Sequence, residues 1–153
     1  RMMPALTAGR IPAMTDEAIA RVRRLEAALL ELPQVPIATD HVLHGGMYAR
    51  TIMIPAGVVL TGALIRVPTV LILAGDATVD TGEDAVRLTG YHVLAASAHR
   101  RQAFLAHADT WLTMVFATRA ATVEQAEDEF TDEAHLLLSR QLGAVNAIHI
   151  TGE

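Results

Sequence analysis

Residues 47–80 read MYARTIMIPAGVVLTGALIRVPTVLILAGDATVD, and their pattern decides the fold. Short β-branched and apolar runs, Met47 to Ile54, Val58 to Arg66, Thr69 to Ala74 and Ala77 to Asp80, are separated by Pro55-Ala56-Gly57 and Gly75-Asp76. Those breaks are turn residues, and strands bounded by them at intervals of about eight positions describe an all-β sandwich or barrel. The pattern continues through Ala85 to Leu88, His92 to Ala95, Ala103 to His107 and Thr110 to Thr118, with turns at Thr81-Gly82-Glu83-Asp84 and Thr89-Gly90. No helix of ten residues fits between these strands, so parallel crossovers are excluded and the sheet is expected to be antiparallel.

Helical periodicity flanks this segment. The first fourteen residues, with Pro4, Gly9 and Pro12, read as an irregular arm. Thr15, followed by Asp16 and Glu17, then caps a helix expected over residues 15–32, in which Ile19, Val22, Leu25, Leu29 and Leu32 form one apolar stripe. That stripe must be covered by the protein's own β core or by a neighbouring subunit. After Thr118, Thr122 and Gln125 stand at capping-box spacing, and six acids, Glu124, Glu127, Asp128, Glu129, Asp132 and Glu133, precede any base. They predict an acidic helix over 122–142 with a solvated face, or two shorter helices with a break near Phe130. The last ten residues read as a loose tail in which Val145, Ile148 and Ile150 suit an edge strand. The organisation is thus an arm, 1–14, and a single domain, 15–153, with its barrel over 40–118.

Composition narrows the chemistry. The 153 residues are 52% hydrophobic and 19% charged, enough for one domain that needs neither metal nor disulfide to hold together. With no cysteine there is no disulfide, thiolate zinc site, iron–sulfur cluster or cysteine nucleophile. All 12 basic residues are arginine, which excludes Schiff-base chemistry and a P-loop lysine. A net charge of −5 with scattered arginines argues against a nucleic-acid partner. The uncharged stretch from Thr51 to Ile65 is too short for a membrane span, and no signal peptide is legible at the N-terminus, so the expected location is cytoplasmic, or the cytoplasm of a host cell.

His41, Gly46, Tyr48-Ala49-Arg50, Ile54-Pro55-Ala56-Gly57, Leu60-Thr61-Gly62 and Ala106-His107-Ala108-Asp109-Thr110 together resemble the small cupin-like proteins of tailed phages and prophages. The resemblance covers most of the chain after Thr15 and implies a jelly-roll barrel flanked by an N-terminal and an acidic C-terminal helix. It also implies where a divalent transition metal would be held, because cupin enzymes use histidines and a glutamate from two motifs. The spacing from Gly57 puts Ala63 and Ile65 at the first histidine positions and Thr69 or Val70 at the glutamate, and the spacing from Gly90 puts Arg101 at the last histidine. Nothing between Gly57 and Gly75 is His, Asp or Glu, so the usual metal site is absent and no cofactor is expected. The alternative is a relocated site drawn from His41, His92, His99 and His107, with His44 the remaining histidine of the segment.

Tyr48, Arg50, Arg66, His107 and Trp111 are the candidate ligand-binding residues, because aromatic and guanidinium groups at a barrel mouth suit a small anionic or sugar-like ligand. Tyr48 and Arg50 share strand parity with Ile52 and Ile54, which weighs against a polar pocket on that face. No G-x-S-x-G elbow accompanies Ser97 or Ser139. The leading expectation is a non-catalytic phage or prophage structural or accessory protein, working as a homo-oligomer or with other virion proteins. A ligand-binding module comes second and a metal-dependent enzyme third.

Overall fold

The computed structural model describes residues 9–81 and 84–153. Two helices, α1 (Asp16–Leu29) and α2 (Val123–Phe130), flank nine strands: β1 (Arg10–Ile11), β2 (Thr39–His44), β3 (Met47–Ile54), β4 (Val59–Thr61), β5 (Thr69–Asp80), β6 (Ala85–Ala96), β7 (Ala103–Ala106), β8 (Thr110–Ala117) and β9 (Asn146–Ile150). The larger sheet runs β1-β6-β5-β8-β3-β2-β9, while β4 and β7 continue from β5 as the second wall. The fold is mainly β, a two-walled barrel with flanking helices, as the short bounded strands predict, and it agrees with the jelly roll that the resemblance implies.

Gly75 and Gly90 are not turns. β5 and β6 pair without interruption from Thr69↔Ala96 to Asp80↔Ala85, and the two glycines are opposite each other in that ladder. Before Gly75, β5 pairs with β8; from Ala77 onward it pairs with β7, so the bent hairpin passes from one wall to the other. A Cβ on Gly75 would lie 2.6–2.8 Å from Thr110 and the Asp109 carbonyl, and its φ of 148° is hostile to any side chain, so only glycine lets β8 approach this bend. The expected run Val58 to Arg66 is also shorter, three residues of strand followed by an isolated bridge between Ile65 and Arg100.

Strand parity separates the two faces of the larger sheet. Tyr48, Ile54, Leu71, Leu73, Leu94, Leu112 and Phe116 point inward and are buried together. Outward, Tyr91, Ala74, Trp111 and Met53 form one row in register, and Val93, Ile72, Thr113 and Thr51 the next. A third row runs Ala95, Val70, Val115, Ala49 and Val42.

The termini depart from the expectation of a purely antiparallel sheet. Arg10–Ile11, expected within the irregular arm, pairs parallel with β6, and β9 turns half of the expected tail into a strand parallel to β2. Residues 1–8 of that arm, and Gly82 and Glu83 of one expected turn, lie outside the described residues. Both parallel pairs come from outside segment 40–118, whose own strands are all antiparallel.

Thr15 caps α1, its hydroxyl accepting from Ala18 N at 3.1 Å. The stripe of α1 divides: Ile19 and Val22 are buried against Ala103 of the barrel and Met14, whereas Leu29 is half-buried and Leu25 and Leu32 are exposed. At the start of α2 Thr122 Oγ1 accepts from Gln125 N and Gln125 Oε1 accepts from Ala121 N, but the helix ends at Phe130 and not near residue 142. Arg66, reaching from the barrel, donates from its main chain to Phe130 O and from its guanidinium to Asp128 O and Glu129 O. With those carbonyls satisfied, Thr131 turns extended and two single-turn 3₁₀ helices follow, Ala134–Leu136 and Leu138–Arg140. Among the described residues, no helix is long and apolar enough to cross a membrane.

Candidate functional site

α2 feeds an acid into the barrel. Glu127, the second of the six acids, is 1% exposed and takes hydrogen bonds from Arg50 at 2.7 Å and from Arg140 at 2.9 Å, with Ser139 donating to the same carboxylate. The expected solvated face is therefore interrupted at Glu127, and again at Glu133, which pairs with Arg101. Burial alone would raise the Glu127 pKa, but the hydrogen bonds from Ser139, Arg140 and Arg50, with the charge on Arg50, outweigh it and hold the carboxyl below its ordinary range.

The network extends to His41. Tyr48 accepts a bond from Arg50 at 3.3 Å and so donates to His41 Nδ1, 2.6 Å away. Asn146 donates its amide to Ser139 O, which leaves its Oδ1 facing His41 Nε2 at 2.7 Å, so the imidazole proton sits on Nε2 and the ring is neutral. Burial holds His41 below its usual pKa, with Arg50 pushing the same way, and raises Tyr48 above its own. Tyr48, Arg50, Ile52 and Ile54 do share the inner face, as parity requires; that face holds both polar and apolar groups because Glu127 is delivered to Arg50 from outside the sheet.

A second arginine cluster lies at Arg100-Arg101-Gln102. Arg100 is 1% exposed and meets no carboxylate among the described residues: it donates to Ser97 O at 2.6 Å, Thr69 Oγ1 at 2.7 Å and Gln102 Oε1 at 3.2 Å. Burial lowers its pKa to about 10. Arg101 is paired with Glu26 of α1 and Glu133 beyond α2. Its Nε and the Nε2 of Gln102, both donors, are buried without a partner.

Between these clusters the barrel is hollow. A cavity of about 270 Å³ is walled by apolar side chains such as Ile52, Leu60, Leu71, Phe104 and Leu112 and by Arg50, Arg100, Arg101 and Gln102, with Glu26 and Glu133 also on its lining. Leu29 and Leu30 of α1 and Leu136 and Leu138 of the 3₁₀ turns complete it. Three positions at which the family resemblance places metal ligands, Ala63, Ile65 and Arg101, line this same cavity. Among the described residues, no group of three His, Cys, Asp or Glu side chains stands close enough to hold a metal.

The five candidate ligand-binding residues do not converge. Arg50 lines the cavity, and Tyr48 is buried behind it. Arg66 is outside, bound to α2 and to Asp132 at 2.5 Å; His107 is exposed and bonded to Thr78 at 2.7 Å; Trp111 lies on the outer face because its neighbours Thr110 and Leu112 point inward. The four histidines of the alternative metal site are equally dispersed, with His92 on Thr89 O and His99 on Asp16, far from His41. The cavity polar groups the sequence reading missed are Arg100, Gln102, Glu26 and Glu133. The one legible signal was Arg101, standing where the family keeps a histidine.

No protein-family model matches the chain, and neither does any curated protein. Solved structures similar to it include a cupin superfamily protein from Desulfitobacterium hafniense, 16% identical over 60% of this chain and 86% of that one, at a TM-score of 0.46. KdgF from Halomonas sp. is 19% identical over 57% and 84%, at 0.47. Ectoine synthase from P. lautus is 15% identical over 65% and 76%, at 0.47.

Proposed function

We propose that this protein is a non-catalytic binding barrel whose cavity takes a small amphipathic carboxylate. One observation carries the reading: an apolar cavity of about 270 Å³ on whose lining Arg50 is paired with Glu127 and Arg101 with Glu26 and Glu133, while the buried Arg100 donates only to neutral oxygens. A cavity of about 150 Å³ already admits a benzene ring, so this one has room for an aryl or medium-chain body. The Arg100 charge, unneutralised in surroundings of low dielectric, favours an oxyanion at the polar wall. The empty family ligand positions and Arg101 among them support a site whose positive charge is the protein's own.

Isothermal titration with benzoate and octanoate, and with benzyl alcohol and 1-octanol as uncharged counterparts, tests this. The carboxylates are expected to bind with Kd below about 1 mM and the alcohols at least tenfold more weakly. Ala63→Phe, which fills the cavity, is expected to abolish binding while the circular dichroism spectrum stays unchanged. Equal binding of acids and alcohols, or no binding by either acid, would overturn the reading.

The phage or prophage accessory role is a second reading, concerned with where such a barrel works. It is supported by the exposed uncharged rows on the outer face of the larger sheet, from Tyr91 and Val93 to Trp111 and Val42, which suit assembly as a homo-oligomer or with other virion proteins in the host cytoplasm or the virion. Deleting the gene from a lysogen and weighing the virions produced would test it; unchanged particle yield and composition would count against it.

A further inference from the structure

The lining of the barrel cavity changes character from its depth to its mouth. Arg100, Arg101 and Gln102 are 1%, 2% and 5% exposed, whereas Leu30, Leu136 and Leu138 on the same lining are 64%, 58% and 42% exposed. The cavity therefore reaches solvent between the C-terminal end of α1 and the two 3₁₀ turns, through an opening rimmed by leucine. Those leucines leave apolar surface in water, continuous with the apolar interior, which an apolar part of a ligand would cover.

Charge varies in the same direction. Glu26 and Glu133, whose side chains are 28% and 21% exposed, hold Arg101, and Glu127 holds Arg50. The deeper Arg100 meets no carboxylate among the described residues. Gln102 accepts from Arg100 Nε at 3.2 Å through Oε1, which fixes the amide and leaves its Nε2 donors without a partner. A ligand carboxylate lodged at the mouth would lie against Glu26 and Glu133; lodged beside Arg100, it would meet an unneutralised guanidinium in low dielectric. Given the reading of the cavity as a carboxylate site, on which this step rests, we infer that the ligand is an unbranched acyl-chain carboxylate bound head inward. Its carboxylate lies beside Arg100 and Gln102, and the end of its chain emerges between Leu30 and Leu136. An aryl acid confined to the interior would leave the rim wet, whereas a chain that reaches the surface covers it. Between head and rim, Ile52, Leu60 and Leu112 offer no polar partner, which suits a chain without hydroxyl groups along its length.

Isothermal titration of the full chain with sodium octanoate, decanoate and dodecanoate tests this. Dodecanoate is expected to bind at least about tenfold more tightly than octanoate, since each methylene that the rim covers contributes up to about fourfold. The ω-hydroxy form of dodecanoate, whose hydroxyl stays in water at the mouth, should bind within about threefold of dodecanoate itself. Gln102→Glu is isosteric and sets a carboxylate against Arg100, so it should remove binding of all three acids without lowering the melting temperature. Leu136→Asp should cut the ratio of dodecanoate to octanoate affinity by at least about fivefold; should it fail to fold, Leu30→Asp replaces it. If none of the acids binds the native protein, the carboxylate site and the acyl chain both fall. If octanoate binds but affinity does not rise with chain length, or the ω-hydroxy acid binds more than about tenfold more weakly than dodecanoate, the carboxylate site stands and the chain held head inward is overturned. Binding indifferent to Gln102→Glu overturns it too. So does a native dimer that Leu136→Asp converts to a monomer in sedimentation velocity, which would assign the rim to a second copy of the chain.

Discussion

Arg50 and Glu127 meet 2.7 Å apart inside the barrel, one carried by the strand β3, the other by α2, with side chains 12% and 1% exposed. The pair fastens the helix to the barrel end, and its energetics are those of a buried charge pair, for which losing one partner costs more than losing both. Glu127→Gln and Arg50→Met are each expected to destabilise by about 3–5 kcal/mol. The double variant should cost clearly less than their sum, a coupling measurable by urea denaturation of all four proteins in one buffer.

His41 gives the fold a pH dependence of predictable sign. Its folded pKa lies below 6.5, so between those two values the unfolded chain binds more protons than the folded one. Stability is complete above about pH 6.5 and falls as the pH drops below it, with a slope of at most about 1.4 kcal/mol per pH unit. Glu127, whose folded pKa is also depressed, adds a second loss of the same sign at lower pH. Urea midpoints measured from pH 7.5 to 5.5 should fall less for His41→Gln than for the native protein; parallel slopes would remove His41 as the cause.

The two glycines of the bent hairpin make unequal demands. Gly75→Ala places a methyl within 2.8 Å of the Thr110 main chain and the Asp109 carbonyl, and is expected to cost more than about 3 kcal/mol. Gly90→Ala meets nothing within 4 Å and suffers only from its φ of 88°, about 1–2 kcal/mol. The order of the two thermal midpoints decides the matter.

Arg66 acts as the end stop of α2. Arg66→Gln removes the donors to Asp128 O and Glu129 O while keeping the main-chain bond to Phe130 O. Hydrogen exchange is expected to quicken at the amides of residues 123–130 with the global midpoint little changed, because the groups lost are exposed.

What the sequence disclosed follows from the range of the forces involved. Alternation from Met47 to Ala117 reports which residues share a face of each strand, so the barrel and the common face of Tyr48, Arg50, Ile52 and Ile54 were legible, though not that this face holds Arg50 at a cavity. Gly75-Asp76 and Thr89-Gly90 read as turns because a lone glycine has the same local signature in a turn as in a bend; only the pairing of Gly75 with Gly90 separates them. Glu127 is indistinguishable from its acidic neighbours until Arg50 and Arg140 are seen to surround it. The end of α2 was ambiguous because its stop signal, Arg66, lies 64 positions before Phe130. The cavity was partly legible, since Ala63, Ile65 and Arg101 are visible as substitutions at expected ligand positions, whereas Arg100 and Gln102 carry no pattern of their own.

The bent hairpin has a consequence for how the molecule comes apart. β5 pairs with β6 along its whole length, with β8 in its first half and with β7 in its second. Neither wall of the barrel is therefore a separable module, and no cut within β5 or β6 leaves one wall complete. Unfolding should proceed as a single cooperative event, with no surviving half-barrel to bind a ligand or a neighbour.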